Sequence, residues 1–229
     1  MIDDILLAKL CNMNFLRLTQ RPVQDEVYEY CDKLGLMTQT DLPLFGVMRR
    51  FRVPEGIRQA EEMARMVRKH PCNVVVSYIN EPFPNANNEP HRHLIRPELE
   101  NFFTCCDLSN PDQVIKHVDG DYDPPTDGIP DNHCYPMWYN GHGIDIGRLH
   151  RGYWLPVKPG WYYGCGEYGA EGLDSAEVME ECYPREWLRE PFDPGHIVRS
   201  QTKSFSGFFY DAQEDMQGWI SRSQRYQAF

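Results

Sequence analysis

The 229-residue sequence has no run approaching the roughly 18–20 consecutive apolar residues that a membrane-spanning helix needs. Its 8 cysteines form no CxxC pair and its histidines no HExxH, so a zinc ribbon, a thioredoxin-type motif and a zincin signature are all missing. Basic residues are in deficit: 23 Lys and Arg stand against 34 Asp and Glu, a formal net charge of -11. Nucleic acids and anionic membranes recruit clustered cations, so neither is an expected partner. Internal repeats and low-complexity linkers are also lacking. No secretory leader is visible, since Met1 is followed at once by Asp3 and Asp4; any signal peptide would lie upstream.

What is present suits one sizeable folded domain. Hydrophobic residues make up 41% and aromatic residues 13%, and α/β barrels of about this length form single units. Cys11, Cys72, Cys105, Cys106, Cys134 and Cys165 lie within apolar runs and read as buried free thiols. That favours a reducing, cytoplasmic setting and leaves disulfides open.

Along the chain, short apolar runs alternate with stretches of helical spacing. Residues 2–13 place Ile2, Ile5, Leu6, Leu10 and Met13 on or near one helix face. A short strand follows at 15–18, then a helix at 24–34 that stops at Gly35, a strand at 36–40 and an amphipathic helix at 55–69. The run 73–79 is apolar on consecutive residues, as a strand buried on both faces should be. Helices are expected at 97–107, 177–183 and 211–226, and strands at 113–118, 133–135, 161–165 and 205–210. Alternation of this kind predicts α/β architecture with parallel strands and helices packed outside. Seven strands are counted, near residues 15, 36, 73, 113, 133, 161 and 205, whereas a closed (β/α)8 TIM barrel has eight. The sequence opens on a helix with no N-cap ahead of it, so residues 1–229 are expected to be an incomplete barrel, strands 2–8, from a longer parent chain.

Parallel barrels build their sites at the C-terminal ends of the strands. In order, those ends carry Arg17, Asp41, Asn80 with Glu81, Asp119 and Asp121, Tyr135 and Trp138, Glu167, then Tyr210 and Asp211. Such a rim fits a sugar, whose hydroxyls pair with carboxylates and amides while its C–H faces stack on aromatic rings. Glu81 and Glu167 matter most. A retaining glycosidase needs two carboxyl groups about 5–5.5 Å apart, one to protonate the leaving oxygen and one to attack the anomeric carbon. The attacking group must stay ionised, which Arg17 and a tyrosine hydroxyl would promote.

The tripeptide Asn80-Glu81-Pro82 after a Val-rich strand, and Gly166-Glu167-Tyr168-Gly169 after a later one, resemble the two catalytic signatures of clan A glycoside hydrolases. The stretches 14–22 and 30–36 are similar to glycoside hydrolase family 2, which contains β-galactosidases, β-glucuronidases and β-mannosidases. The resemblance runs over about residues 1–211 with its motifs in order. It implies a retaining β-glycosidase without a cofactor or metal, acting on a carbohydrate, with jelly-roll and immunoglobulin-like accessory domains elsewhere in the parent chain. By the same resemblance Glu81 is the acid/base and Glu167 the nucleophile. Arg17 contacts the nucleophile, Asn80 binds the sugar 2-hydroxyl, and Tyr135 supports the nucleophile. Three departures leave the sugar unassigned: Gln20-Arg21-Pro22 for a His-Tyr-Pro type, Thr40-Asp41-Leu42-Pro43 for a more acidic one, and Phe208-Phe209-Tyr210 where a tryptophan is usual.

Other readings weighed are structural or metal-based. Glu171 is the rival nucleophile, Arg17 could be a buried ion-pair partner, and Tyr135 and Trp138 could be core aromatics. The acidic run from Asp119 to Asp123 has Pro124 where an EF-hand needs glycine. His91, His93, His133, His142 and His150 suggest a metallohydrolase but read as substrate contacts or surface residues. The rival from another class is a non-catalytic carbohydrate-binding or structural barrel.

Overall fold

The computed structural model describes residues 2–82, 94, 96–120, 133–134, 166–168, 172–197 and 213–228. The chain divides into two compact units, one of residues 1–133 with 156–166, the other of residues 134–155 with 167–229.

The first unit runs α1 (Ile2–Leu10), β1 (Phe15–Leu18), α2 (Asp25–Leu34), β2 (Met37–Asp41), α3 (Val53–Val67), β3 (Asn73–Asn80), α4 (Arg96–Asp107) and β4 (Val114–Asp119). Its strands form one sheet in the order β1-β2-β3-β4, every pair parallel. Each strand lies beside its predecessor in sequence, so all four C-terminal ends collect along one edge. A doubly wound sheet would instead reverse order at a switch point.

The helices form where the 3.6-residue pattern is clearest. In α3, Ala60, Met63, Ala64 and Val67 are buried; in α4 the same spacing buries Leu99, Phe102, Phe103 and Cys106. Pro54 occupies the first turn of α3, where its missing N–H costs nothing. Gly35 ends α2 with φ +65, and its N–H bonds the Cys31 carbonyl; no neighbour crowds it, so the demand is on the backbone alone. Tyr78 of β3 stacks on Phe103 at 6.2 Å. Truncating Phe103 to Ala there would cost about 3–5 kcal/mol.

Strand alternation sorts β2 into two faces. Thr40 turns toward the helices, where its hydroxyl meets Tyr28 Oη at 3.0 Å and donates to Asn73 Oδ1 at 2.6 Å. Gln39 and Asp41 take the opposite face, the one that carries Arg17.

Two local expectations change. Helix α1 stops at Leu10, because Asn12 adopts φ 58, and it buries Ile5 and Ala8 while Ile2, Leu6, Leu10 and Met13 stay exposed. Cys72 and Cys106 are buried free thiols as expected, joined by Cys31, but Cys11 and Cys105 are exposed. Cys105 and Cys106 are adjacent on α4, and about 100° of helical rotation separates their side chains.

Two short strands, β5 (His133–Cys134) and β6 (Glu167–Tyr168), lie where the chain passes from one unit to the other. The second unit also contains α5 (Ala176–Cys182) and α6 (Met216–Gln227) around Leu173, Met179, Phe192, Trp219 and Ile220. Ser223 links them, accepting from the Leu173 N–H at 3.0 Å and donating to the Ile220 carbonyl at 3.0 Å. Helix α6 begins at Met216 rather than Asp211, since the Asp215 carboxylate accepts the Gly218 N–H at 2.7 Å and caps it. The strands expected at 161–165 and 205–210 lie outside the described residues. So does closure into a barrel: the described strands form a parallel four-stranded sheet and a separate short pair of strands.

Candidate active site

The C-terminal edge of the first unit's sheet holds a buried network of charged groups centred on Arg17. From β1, its Nε and Nη2 donate to one Asp41 oxygen at 2.9 and 2.6 Å. Nη2 also reaches Asn80 Oδ1 at 2.7 Å, and Nη1 pairs with Asp119 at 2.7 Å. A weaker bond runs from Nη1 to the Gly166 carbonyl at 3.4 Å. A guanidinium can only donate, so the Asn80 atom facing it must be oxygen, which leaves the Asn80 amide N–H groups to donate elsewhere. One arginine thus joins the ends of β1, β2, β3 and β4.

Asp119 is fully buried, and its second oxygen accepts from Lys116 and from Gln39, both at 2.6 Å. Burial alone would raise its carboxyl, but the His133 hydrogen bond, Lys116 and Arg17 hold it well below the usual carboxylate range. Asp41 goes the other way: burial raises it, against the pull of Arg17 and Gln39.

Glu81 follows β3 directly and has φ 47, a left-handed conformation that costs a non-glycine residue on the order of 1–3 kcal/mol. The surroundings impose it. Asn80 is clamped by backbone bonds from its N–H to Leu44 and from Gly46 to its carbonyl, both 2.9 Å, and the Glu81 N–H donates to Asp119 at 2.8 Å. The Glu81 carboxylate is then met by His133 Nδ1 at 2.8 Å, while His133 Nε2 meets Asp119 at 2.8 Å. Gly120 makes room for that ring. A Cβ there would sit 2.2 Å from the imidazole, and φ +68 excludes other residues as well.

The protonation pattern follows from donor and acceptor rules. Asp119 is ionised, so His133 Nε2 must carry the proton between them. Nδ1 and Glu81 then share one further proton, placed on the acid or on the ring.

Five of the expected site residues are therefore brought together: Arg17, Asp41, Asn80, Glu81 and Asp119. Glu167 is partly buried at the start of β6 in the second unit. Asp121, Tyr135, Trp138 and Tyr210 lie outside the described residues, as do Glu171, His91, His93, His142 and His150. Three further participants stand outside the residues expected from the sequence. His133, expected as a surface or substrate contact, is the bridge between Glu81 and Asp119, and an ion could bind it only by replacing one of those hydrogen bonds. Gln39 and Lys116 both donate to Asp119. A lysine inside the apolar run Val114-Ile115-Lys116-His117-Val118 was the available signal, since burying it demands a carboxylate partner.

No family model matches the sequence, and comparison with curated proteins finds no match. Solved structures do resemble it. A β-D-mannosidase from Dictyoglomus thermophilum aligns with 99% of this chain and 30% of its own, at TM-score 0.68 and 17% identity. A β-glucuronidase from Bifidobacterium dentium, complexed with coumarin-3-O-glucuronide, aligns over 76% of this chain and 30% of its own, at TM-score 0.59 and 18% identity. β-Glucuronidase 2 of Bacteroides uniformis, covalently bound to cyclophellitol-6-carboxylate aziridine, aligns over 75% and 22%, at TM-score 0.56 and 22% identity. The chain spans less than a third of the length of each of these structures. At such identities the likeness is one of fold.

Proposed function

We propose that this chain belongs to a retaining β-glycosidase of the glycoside hydrolase family 2 type, with its parallel strands forming part of a (β/α)8 barrel. The observation that carries the reading is Glu81: a glutamate in a strained conformation at a strand end, hydrogen-bonded so as to share a proton with His133. Fold likeness to a β-mannosidase and two β-glucuronidases supports the same class.

In this mechanism Glu167 attacks the anomeric carbon, and its C–O bond forms as the bond to the leaving oxygen breaks. Glu81 delivers its proton to that oxygen. Water then loses a proton to Glu81 and releases the sugar from Glu167, restoring both groups. The Asn80 amide, its oxygen fixed by Arg17, presents N–H donors to a sugar hydroxyl. Arg17 also holds the carbonyl of the residue preceding Glu167. Asp41 and Asp119 compensate the charge of Arg17, and Asp119 also orients His133 by accepting its Nε2–H. Asp121, Tyr135, Trp138 and Tyr210 complete the proposed sugar contacts.

The test is turnover of a panel of chromogenic β-glycosides by the native chain and by Glu167→Gln. Hydrolysis of at least one β-glycoside with retained configuration, abolished in the variant at unchanged circular dichroism, is expected. Undiminished activity in Glu167→Gln overturns the assignment.

A further inference from the structure

Beside the Arg17 network, the connection from β2 to α3 borders a second, open recess within the first unit. A cavity of about 370 Å³ is lined by Leu42, Leu44, Met48, Arg49, Arg52 and Glu55 among others. Its volume is in the range that receives small ligands, roughly 300–1,000 Å³. Leu42 follows Asp41 directly, so the recess adjoins the strand ends where the site is built.

Its charge is unusual for this molecule. In a chain of net charge -11, Arg49, Arg50 and Arg52 fall within four consecutive residues. Arg50 is paired with Glu98. Glu55, the carboxylate lining the cavity, is already engaged: Arg58 donates to its two oxygens at 2.9 and 2.6 Å, and Gln59 adds a bond at 2.8 Å. Arg49 and Arg52 make no side-chain hydrogen bond or close ion pair among the described residues, and Arg52 acts on Glu55 only through its charge at longer range. The Arg52 guanidinium rests over the exposed Phe51 ring at 5.2 Å. Two arginines on the wall of a recess that Pro43, Leu44 and Val47 also line suit an oxyanion attached to a ring, since a planar fork binds carboxylate or sulfate through paired N–H bonds.

We propose that this recess binds one sugar unit bearing a carboxylate or sulfate, its oxyanion between Arg49 and Arg52 and its C–H face on Pro43, Leu44 and Val47. From the glycosidase reading this takes only that the ligand is a carbohydrate. It makes the protein selective for acidic glycans through a subsite separate from the reacting centre.

Calorimetric titration of the full chain tests it, with digalacturonate against its dimethyl ester and 6-sulfated against unsulfated N-acetyllactosamine. At least one acidic ligand is expected to bind about tenfold or more tightly than its neutral counterpart, through charge-assisted bonds. The acid preferred identifies the anion as carboxylate or sulfate. Arg49→Gln combined with Arg52→Gln should erase the preference and leave neutral ligands unchanged. Arg65→Gln, which removes one charge from a residue of α3 paired with Glu61, should leave it intact. Glu167→Gln should keep the preference, so loss of hydrolysis and loss of the subsite are read separately. Equal binding of acidic and neutral ligands, binding of neither, a preference that survives the double substitution, or one that Arg65→Gln also removes would overturn the proposal.

Discussion

His70 and His133 stand at opposite ends of one parallel sheet, and each bridges two carboxylates. Ahead of β3, His70 meets Asp32 at 2.8 Å and Asp25 at 3.0 Å, both from α2, with Lys69 on Asp25 and the ring stacked on Tyr28 at 5.1 Å. At the far end, His133 meets Glu81 and Asp119, which follow or end different strands and are tied by Arg17 to two more. The first arrangement is local and borders water, since the Asp25 side chain is 41% exposed. The second is assembled from distant parts of the chain and closed to solvent at Asp119. The same trio of groups therefore does different work: one fastens a helix to a turn, the other fixes the proton and the position of a carboxylate.

Removing one partner should separate the two ends most sharply. Arg17→Met leaves Asp41 buried without its cation and Asp119 with Lys116 and His133 alone, and should cost about 3–5 kcal/mol in urea unfolding. Asp25→Asn at the exposed end should cost far less. Equal losses would erase the distinction.

Gly120→Ala comes next. The added methyl must displace the His133 ring, so kcat on the best β-glycoside should fall roughly 10²-fold, the scale of an ångström's misplacement in a catalytic group. An unchanged kcat would mean that the position of His133 does not matter to Glu81.

At the His70 end the smaller effect is one of pH. Burial opposes protonation of His70, but Asp25 and Asp32 outweigh it and raise its pKa above 6.5. A raised pKa contributes stability that is complete below the ordinary value and lost as pH rises through the raised one. Asp25 and Asp32 are lowered from 3.8, so their share is complete above that value and fades as pH falls through the lowered ones. The stability advantage of the native chain over His70→Gln should be largest between these limits and decline toward alkaline pH. A flat difference across that range would contradict the ion-pair account.

Thiol reactivity gives the smallest effect. Burial pushes Cys72 and Cys106 up to about 12, so in the folded chain they should resist alkylation at neutral pH while Cys11, Cys105 and Cys182 react. Mass spectrometry of partially labelled protein shows the order; early labelling of Cys72 would mean that the strand end opens.

These two ends also differ in how far the sequence announces them. Helices α3 and α4 and strand β3 follow from periodicity, because burial of one stripe or of two faces leaves a visible pattern. Arg17, Asp41, Asn80, Glu81 and Asp119 follow from the rule that polar residues at parallel strand ends share an edge. His133 did not, since its partners lie 52 and 14 residues away and only the fold brings them to it. Nor did the left-handed backbone of Glu81, which is imposed by Leu44, Gly46 and Asp119 rather than by its own residue type. The N-cap at Asp215 was readable in principle, but the apolar spacing around it extended the expected helix too far.

The leaving-group dependence of Glu81→Gln tests the assignment of the shared proton most directly. A methyl β-glycoside needs its departing oxygen protonated, whereas a dinitrophenyl β-glycoside does not. Glycosylation should therefore slow roughly 10²–10⁴-fold for the methyl compound and stay close to native for the dinitrophenyl one. Equal losses with both, or no loss with the methyl glycoside, would show that Glu81 supplies no proton.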